Sequence, residues 1–244
     1  MKRVAKAPAR TPRTRKALRA DAAATVDALM RKSSKKWRDS LVRYAIPTDN
    51  ALGVPMKEIQ AIGKRLRPDH ELAGALWETG IYEARLLVAY VADPALITVA
   101  QMNAWCRDFD NWAVVDTLCL ALFSRSPHAW GRINAWAKRK PEFERRAAFA
   151  LLAGMARRSV IEDDGIYLRH LPLIESCASD ERNFVKKGVN WALRMIGRRN
   201  KNLNGVSAAV AARLSRFDSA AARWVGRDAH RELTSVAVLS RLRS

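Results

Sequence analysis

Apolar and polar positions follow a helical period from Asp21 onward. Between Asn183 and Asn200, Val185, Val189, Ala192 and Ile196 recur at three- and four-residue spacing, while Lys187, Trp191, Arg194 and Arg198 fall together on another face. A second apolar stripe, Val115, Leu118 and Leu122, follows Asp110-Asn111, either of which can cap a helix start. Prolines stand between the periodic runs, at Pro47, Pro55, Pro68, Pro94, Pro127, Pro141 and Pro172. Proline lacks the N–H a helix interior needs and is tolerated only in a first turn. Helices of about 10–18 residues fit between these points. No stretch alternates with period two over a useful length, so the pattern predicts an all-α fold. Short consecutive helices with brief connections predict stacked antiparallel pairs, a HEAT-like or armadillo-like solenoid repeating about every 40 residues. A compact helical bundle is the alternative. In a solenoid, one helix of each pair builds a concave face that suits a rod-like polyanion.

Charge sharpens this picture. The 244 residues carry 44 Lys+Arg against 24 Asp+Glu, a formal net charge of +20. A surplus of this size calls for a polyanionic partner, and nucleic acid is the default. Eight cations (Lys2, Arg3, Lys6, Arg10, Arg13, Arg15, Lys16 and Arg19) lie in the first 20 residues without an acid, and nine more lie in the acid-free stretch from Arg182 to Phe217. Together they make 17 of the surplus 20, which reads as contact surface rather than mixed solvated background. Residues 1–20 lack bulky apolar periodicity and are expected to form a disordered basic arm, followed by a single helical domain over 21–244. An Arg-rich, acid-poor start also fits an organelle transit peptide; otherwise the chain is expected in the cytoplasm, nucleoid-associated if the source is bacterial.

Several chemistries find no support in the sequence. Cys106, Cys119 and Cys177 are odd in number and widely spaced, against a disulfide framework. The four histidines and three cysteines show no metal-ligand spacing, and no phosphate-binding loop or nucleophile elbow is present. His70, behind Pro68-Asp69, reads as a residue of a helix cap. The most apolar run, Leu86 to Ala100, is broken by Asp93-Pro94 and falls short of a membrane span. No metal, cofactor or membrane is expected.

Three segments carry unusual residues. In Asp108–Asp116, Trp112 and Asp116 stand one helical turn apart, and an interior Asp has poor helix propensity. Asp116 therefore serves a tertiary purpose, either at a site or in an ion pair with a neighbouring helix. On the Lys187 face, Trp191 sits in a row of cations, as in surfaces where cations hold phosphates and an indole stacks on sugar or base. The alternative is a Trp half-packed under a loop, with Lys stems over it. Arg145 and Arg146 open a helix where free N–H groups attract an anion; pairing with Glu142 or Glu144 is the alternative.

In order, Asn111-Trp112-x-x-x-Asp116, Arg145-Arg146-Ala-Ala and Phe184-Val-Lys-Lys-x-x-x-Trp191-x-Leu-Arg-x-x-Gly-Arg-Arg-Asn200 resemble the AlkD-like DNA alkylation repair proteins, a family of HEAT-like-repeat DNA glycosylases. Leu52-Gly-Val, Ile62-Gly-Lys, His70-Glu-Leu-Ala, Leu76-Trp77 and Tyr82-Glu-Ala-Arg-Leu-Leu resemble its opening helices, so the likeness runs from about residue 40 to 240. The resemblance implies a HEAT-like solenoid holding duplex DNA on a concave basic surface. It implies excision of cationic N3- and N7-alkylated purines by a monofunctional glycosylase, with Asp116, Trp112 and Trp191 in the catalytic cleft. Arg145, Arg146, Lys186, Lys187, Arg194 and Arg198 are the expected DNA contacts. An alkylated purine is already cationic, so it can leave without a protonated acid, and a carboxylate can stabilise the sugar as positive charge develops there. A monomer is expected. A non-catalytic DNA-binding solenoid and a protein-interaction scaffold are the rival readings.

Overall fold

The computed structural model describes residues 13–66, 68–158 and 163–242. In chain order the helices are α1 (Arg15–Met30), α2 (Lys35–Leu41), α3 (Met56–Leu66), α4 (His70–Glu78), α5 (Tyr82–Val91), α6 (Val99–Arg107), α7 (Trp112–Ala121) and α8 (Ala129–Ala137). They continue with α9 (Glu142–Arg157), α10 (Asp164–Leu168), α11 (Leu171–Cys177), α12 (Asn183–Gly197), α13 (Lys201–Leu214), α14 (Ala220–Leu233) and α15 (Val236–Leu239). Short 3₁₀ turns follow α2 and α7, at Val42–Tyr44 and Phe123–Arg125. Among the described residues there is no β-strand.

Packing follows a repeat. The helices α3, α5, α7, α9, α12 and α14 form one row in which each packs on the next, while α4 lies against α5, α8 against α9, and α13 against both α12 and α14. This is a helical-repeat solenoid. The apolar stripes explain the row: Val115, Leu118 and Leu122, then Val185, Val189, Ala192 and Ile196, are all fully buried. Behind α5 and α7, Trp77, Trp105, Phe109, Phe123 and Trp136 form a continuous run of ring contacts. Two of its three indole N–H groups are satisfied within the protein, Trp77 by Asp108 at 2.7 Å and Trp136 by Asn103 at 2.8 Å.

The folded body begins earlier in the chain than its composition predicts. Helix α1 starts at Arg15, capped by the Thr14 hydroxyl, and the Arg13 guanidinium pairs with Asp21, Asp69 and Glu71. Residues 13–20 therefore belong to the folded body, because acids from α1 and α4 gather around Arg13. The remainder of the expected arm, residues 1–12, lies outside the described residues.

One loop matters for the site. Residues 45–55 connect the first 3₁₀ turn to α3 and are held by Glu83 of α5, which is 1% exposed. Its carboxylate accepts the backbone N–H groups of Leu52 (2.8 Å), Gly53 (2.7 Å) and Val54 (3.1 Å). Gly53 sits at φ +82°, and a Cβ there would lie 2.3 Å from the Ser34 carbonyl oxygen, so glycine is required.

Candidate active site

Asn111 caps α7: its side-chain oxygen accepts the Val114 N–H at 3.0 Å, which starts the helix at Trp112 and leaves Asp116 one turn further on. The next helix of the row, α9, brings Arg146 against Asp116. Arg146 Nε donates to Asp116 Oδ1 at 3.0 Å and Nη2 to Oδ2 at 2.7 Å, a two-pronged pair. Its third arm, Nη1, donates to the Phe184 carbonyl at 2.7 Å and so ties α9 to the start of α12. The Arg146 side chain is 7% exposed and that of Asp116 16%, so the carboxylate is nearly enclosed but still reaches solvent. Burial raises the Asp116 carboxyl above its ordinary value, opposed by the charge and hydrogen bonds of Arg146.

Asp116 lies on the wall between two cavities. A 450 Å³ cleft is lined by Arg43, Tyr44, Ala45, Trp112, Asp116, Arg146, Asn183, Phe184 and Lys187. A 540 Å³ cavity on the other side shares Tyr44, Trp112 and Asp116 and adds apolar and aromatic walls from Ile46, Met56, Tyr82, Tyr90 and Leu120. Around the cleft, Arg43, Arg146 and Lys187 face the single acid Asp116, so the cleft is cationic overall. Trp112 is fixed at the shared edge because its indole N–H donates to the Tyr44 carbonyl at 2.8 Å. Tyr44 itself is 60% exposed.

The expected site residues divide into groups. Trp112, Asp116, Arg146 and Lys187 come together at the cleft. Trp191 is half-buried against the core, one turn beyond Lys187, and lines neither cavity. Arg145 is held within the protein, donating to the Ala137 carbonyl at 2.7 Å and pairing with Asp180 at 3.0 Å. Arg194 and Arg198 both pair with Glu232 of α14, the latter at 3.6 Å. The acid that balances this face comes from another helix. Lys186 places its ammonium 5.2 Å from the centre of the Trp224 ring. His70 begins α4 behind its cap Asp69, and its Nε2 lies 2.9 Å from the Gln101 side-chain oxygen.

The sequence pattern does not single out Arg43 or Tyr44, and Phe184 enters it only as part of a motif, not as a site residue. Tyr44 lies 68 residues before Trp112, and only the fold brings it to the cleft. Its one sequence signal was an aromatic beside an arginine ahead of a proline. Thiol chemistry has no place here: Cys106, Cys119 and Cys177 are free and buried, and burial, only partly offset by Arg139, pushes Cys106 up to about 12. Among the described residues, no three His, Cys, Asp or Glu side chains are grouped to hold a metal ion, and no helix is long and apolar enough to cross a membrane.

The family model described as DNA alkylation repair enzyme matches residues 16–233. No curated protein matches the chain. Among solved structures, a protein from a new family related to the HEAT-like repeat DNA glycosylases, with affinity for branched DNA structures, superposes with a TM-score of 0.72 at 15% identity, covering 86% of this chain and 94% of that one. At that identity it speaks for the fold alone, an all-α helical-repeat solenoid. A designed armadillo repeat protein in complex with the peptide (KR)4 reaches a TM-score of only 0.30 at 13% identity, with 86% and 92% covered, and carries no weight.

Proposed function

This chain belongs to the DNA alkylation repair enzyme family, and from that premise we propose that it is a DNA glycosylase that releases cationic N3- and N7-alkylated purines from duplex DNA. One observation carries the reading: a carboxylate held in one orientation by Arg146, at a cationic cleft edged by Trp112.

The reaction is hydrolysis of the bond between the purine nitrogen and the sugar carbon. As that bond breaks, its electron pair returns to the purine and neutralises the cation, so no protonated acid is needed. Positive charge develops on the sugar, and the nearly enclosed Asp116 carboxylate stabilises it. Water then adds to the sugar carbon and gives up a proton, leaving an abasic site and a neutral alkylpurine. The Trp112 and Tyr44 rings offer π faces to the cationic sugar and base, each worth up to about 2 kcal/mol when desolvated. In this scheme Arg146 acts through Asp116 as a positioning residue, and Arg43 and Lys187 approach the phosphates.

The test is release of 7-methylguanine and 3-methyladenine from methylated DNA. Wild type is expected to release at least one, and Asp116→Asn neither, with DNA binding retained. Wild type that releases neither base, under conditions where a known glycosylase works, would sink the proposal.

A second reading has its own support. Both Asp116 oxygens are occupied by Arg146, and the protein of similar fold is described as having affinity for branched DNA structures. A DNA-binding solenoid without catalysis would bind with a steep salt dependence and release no base.

A further inference from the structure

We propose that the last helix pair carries a second anion site, apart from the Asp116 cleft, that takes a phosphodiester of the DNA flanking the lesion. The inference rests on the reading that this chain binds DNA. Between the end of α13 and α14 lies a 320 Å³ recess lined by Ala212, Ser215, Arg216, Arg227, His230 and Arg231. It has no acid among its lining residues and shares none of them with either cavity at Asp116.

The cations of the recess are largely unspent. Arg216 and Arg227 are exposed, and among the described residues their side chains make no hydrogen bond or ion pair. Arg231 donates to Asp228 but is 79% exposed, which leaves most of its fork free. The two acids of α14 lie outside the lining of the recess, and α12 engages both, Asp228 being shared between Arg231 and α12. Asp228 accepts from Asn190 at 2.7 Å, and Glu232 accepts from Arg194 and forms an ion pair with Arg198 at 3.6 Å. Helical spacing explains the division. At 3.6 residues per turn, Asp228 and Glu232 stand one above the other on the α12 side, whereas His230 and Arg227 turn toward α13 and solvent.

The recess is firmly framed. A Cβ on Gly226 would lie 2.3 Å from the Ser215 backbone nitrogen, so α13 and α14 touch backbone to backbone beside Arg216 and Arg227. The exposed face also continues toward the row of the cleft. Trp224, 39% exposed, sits next on that face with Lys186 of α12 over its ring. Guanidinium forks beside an exposed indole suit a nucleic-acid backbone, the forks on phosphate and the ring on sugar or base. Like charges gathered in one recess repel, and a bound phosphodiester relieves that repulsion.

The experiment uses the full chain and titrates fluorescent duplexes over a range of salt. One duplex spans about one helical turn, about 10 base pairs, and the other several turns. The variant is Arg216→Ala/Arg227→Ala. On the long duplex its log–log salt slope is expected to be shallower by about 1.8, two contacts at about 0.9 each. On the short duplex, and in base release at saturating DNA, it should match wild type. Its melting temperature should also match, since neither side chain has a partner to lose. An unchanged slope on the long duplex would overturn the site, and so would an equal loss on the short one, which marks a diffuse field effect. Failure of wild type to bind any duplex would instead overturn the proposed function itself, so the two failures are told apart.

Discussion

Replacing Arg146 with Gln removes three charge-assisted contacts at once: two to Asp116, at 3.0 and 2.7 Å, and one to the Phe184 carbonyl at 2.7 Å. At an effective dielectric of about 20 and a charge separation of about 4 Å, the pair is worth about 4 kcal/mol of attraction. Breaking a buried pair from one side costs about 3–5 kcal/mol, because the remaining charge stays enclosed. Arg146→Gln is therefore expected to lose about 4 kcal/mol in urea unfolding followed by circular dichroism. For a chain of this size that corresponds to a fall in Tm of about 12 °C. Asp116→Asn/Arg146→Gln should recover at least about 2 kcal/mol of the loss, since no orphaned carboxylate remains.

The pH dependence checks the cause. Burial already raises the Asp116 carboxyl, and without Arg146 nothing opposes it. The folded variant then binds a proton at pH values where the unfolded chain has none on this group, so acidification favours its folded state. The deficit of Arg146→Gln relative to wild type should shrink as pH falls from neutrality toward the ordinary Asp value. Single-variant costs that simply add in the double variant, or a deficit that stays flat with pH, would refute the account of Asp116 as a charge held in place by Arg146.

Two further outcomes follow from buried carboxylates elsewhere. Glu83→Ala would orphan the N–H groups of Leu52, Gly53 and Val54; we expect a loss of about 3 kcal/mol, with faster hydrogen exchange confined first to those three amides. Desolvation by burial pushes Asp180 up, but the hydrogen bonds and charge of Arg182, with a hydrogen bond from Arg145, together outweigh it and lower the group from its ordinary value. Its contribution, about 1–2 kcal/mol given its part-exposed partners, is present above the ordinary Asp value and lost as pH falls through the lowered one. Asp180→Asn should therefore be less stable than wild type near neutrality, and the two should converge in strong acid. A constant gap across that range would contradict the assignment.

Local pattern carries the features that arise within one helix. The stripe Val185, Val189, Ala192 and Ile196 is buried throughout, and Asn111 caps α7, because a 3.6-residue period and a cap are decided by neighbours in sequence. One turn of helix likewise sets Trp112 and Asp116 together. What those residues meet was decided elsewhere. Arg146 reaches Asp116 across 30 positions, and Glu232 reaches Arg194 across 38. The row of cations on α12 thus reads as free charge along the chain, yet two of its members share an acid from α14. Tyr44 enters the cleft, and Arg13 leaves the expected arm for Asp69 and Glu71, for the same reason. Periodicity tells each helix which face to bury, but the register at which two buried faces lock depends on how their side chains interdigitate. That register chooses the partner of every charge on the rims. Composition could only count those charges; their pairing, and so the few left free for a phosphate, belongs to the packed structure.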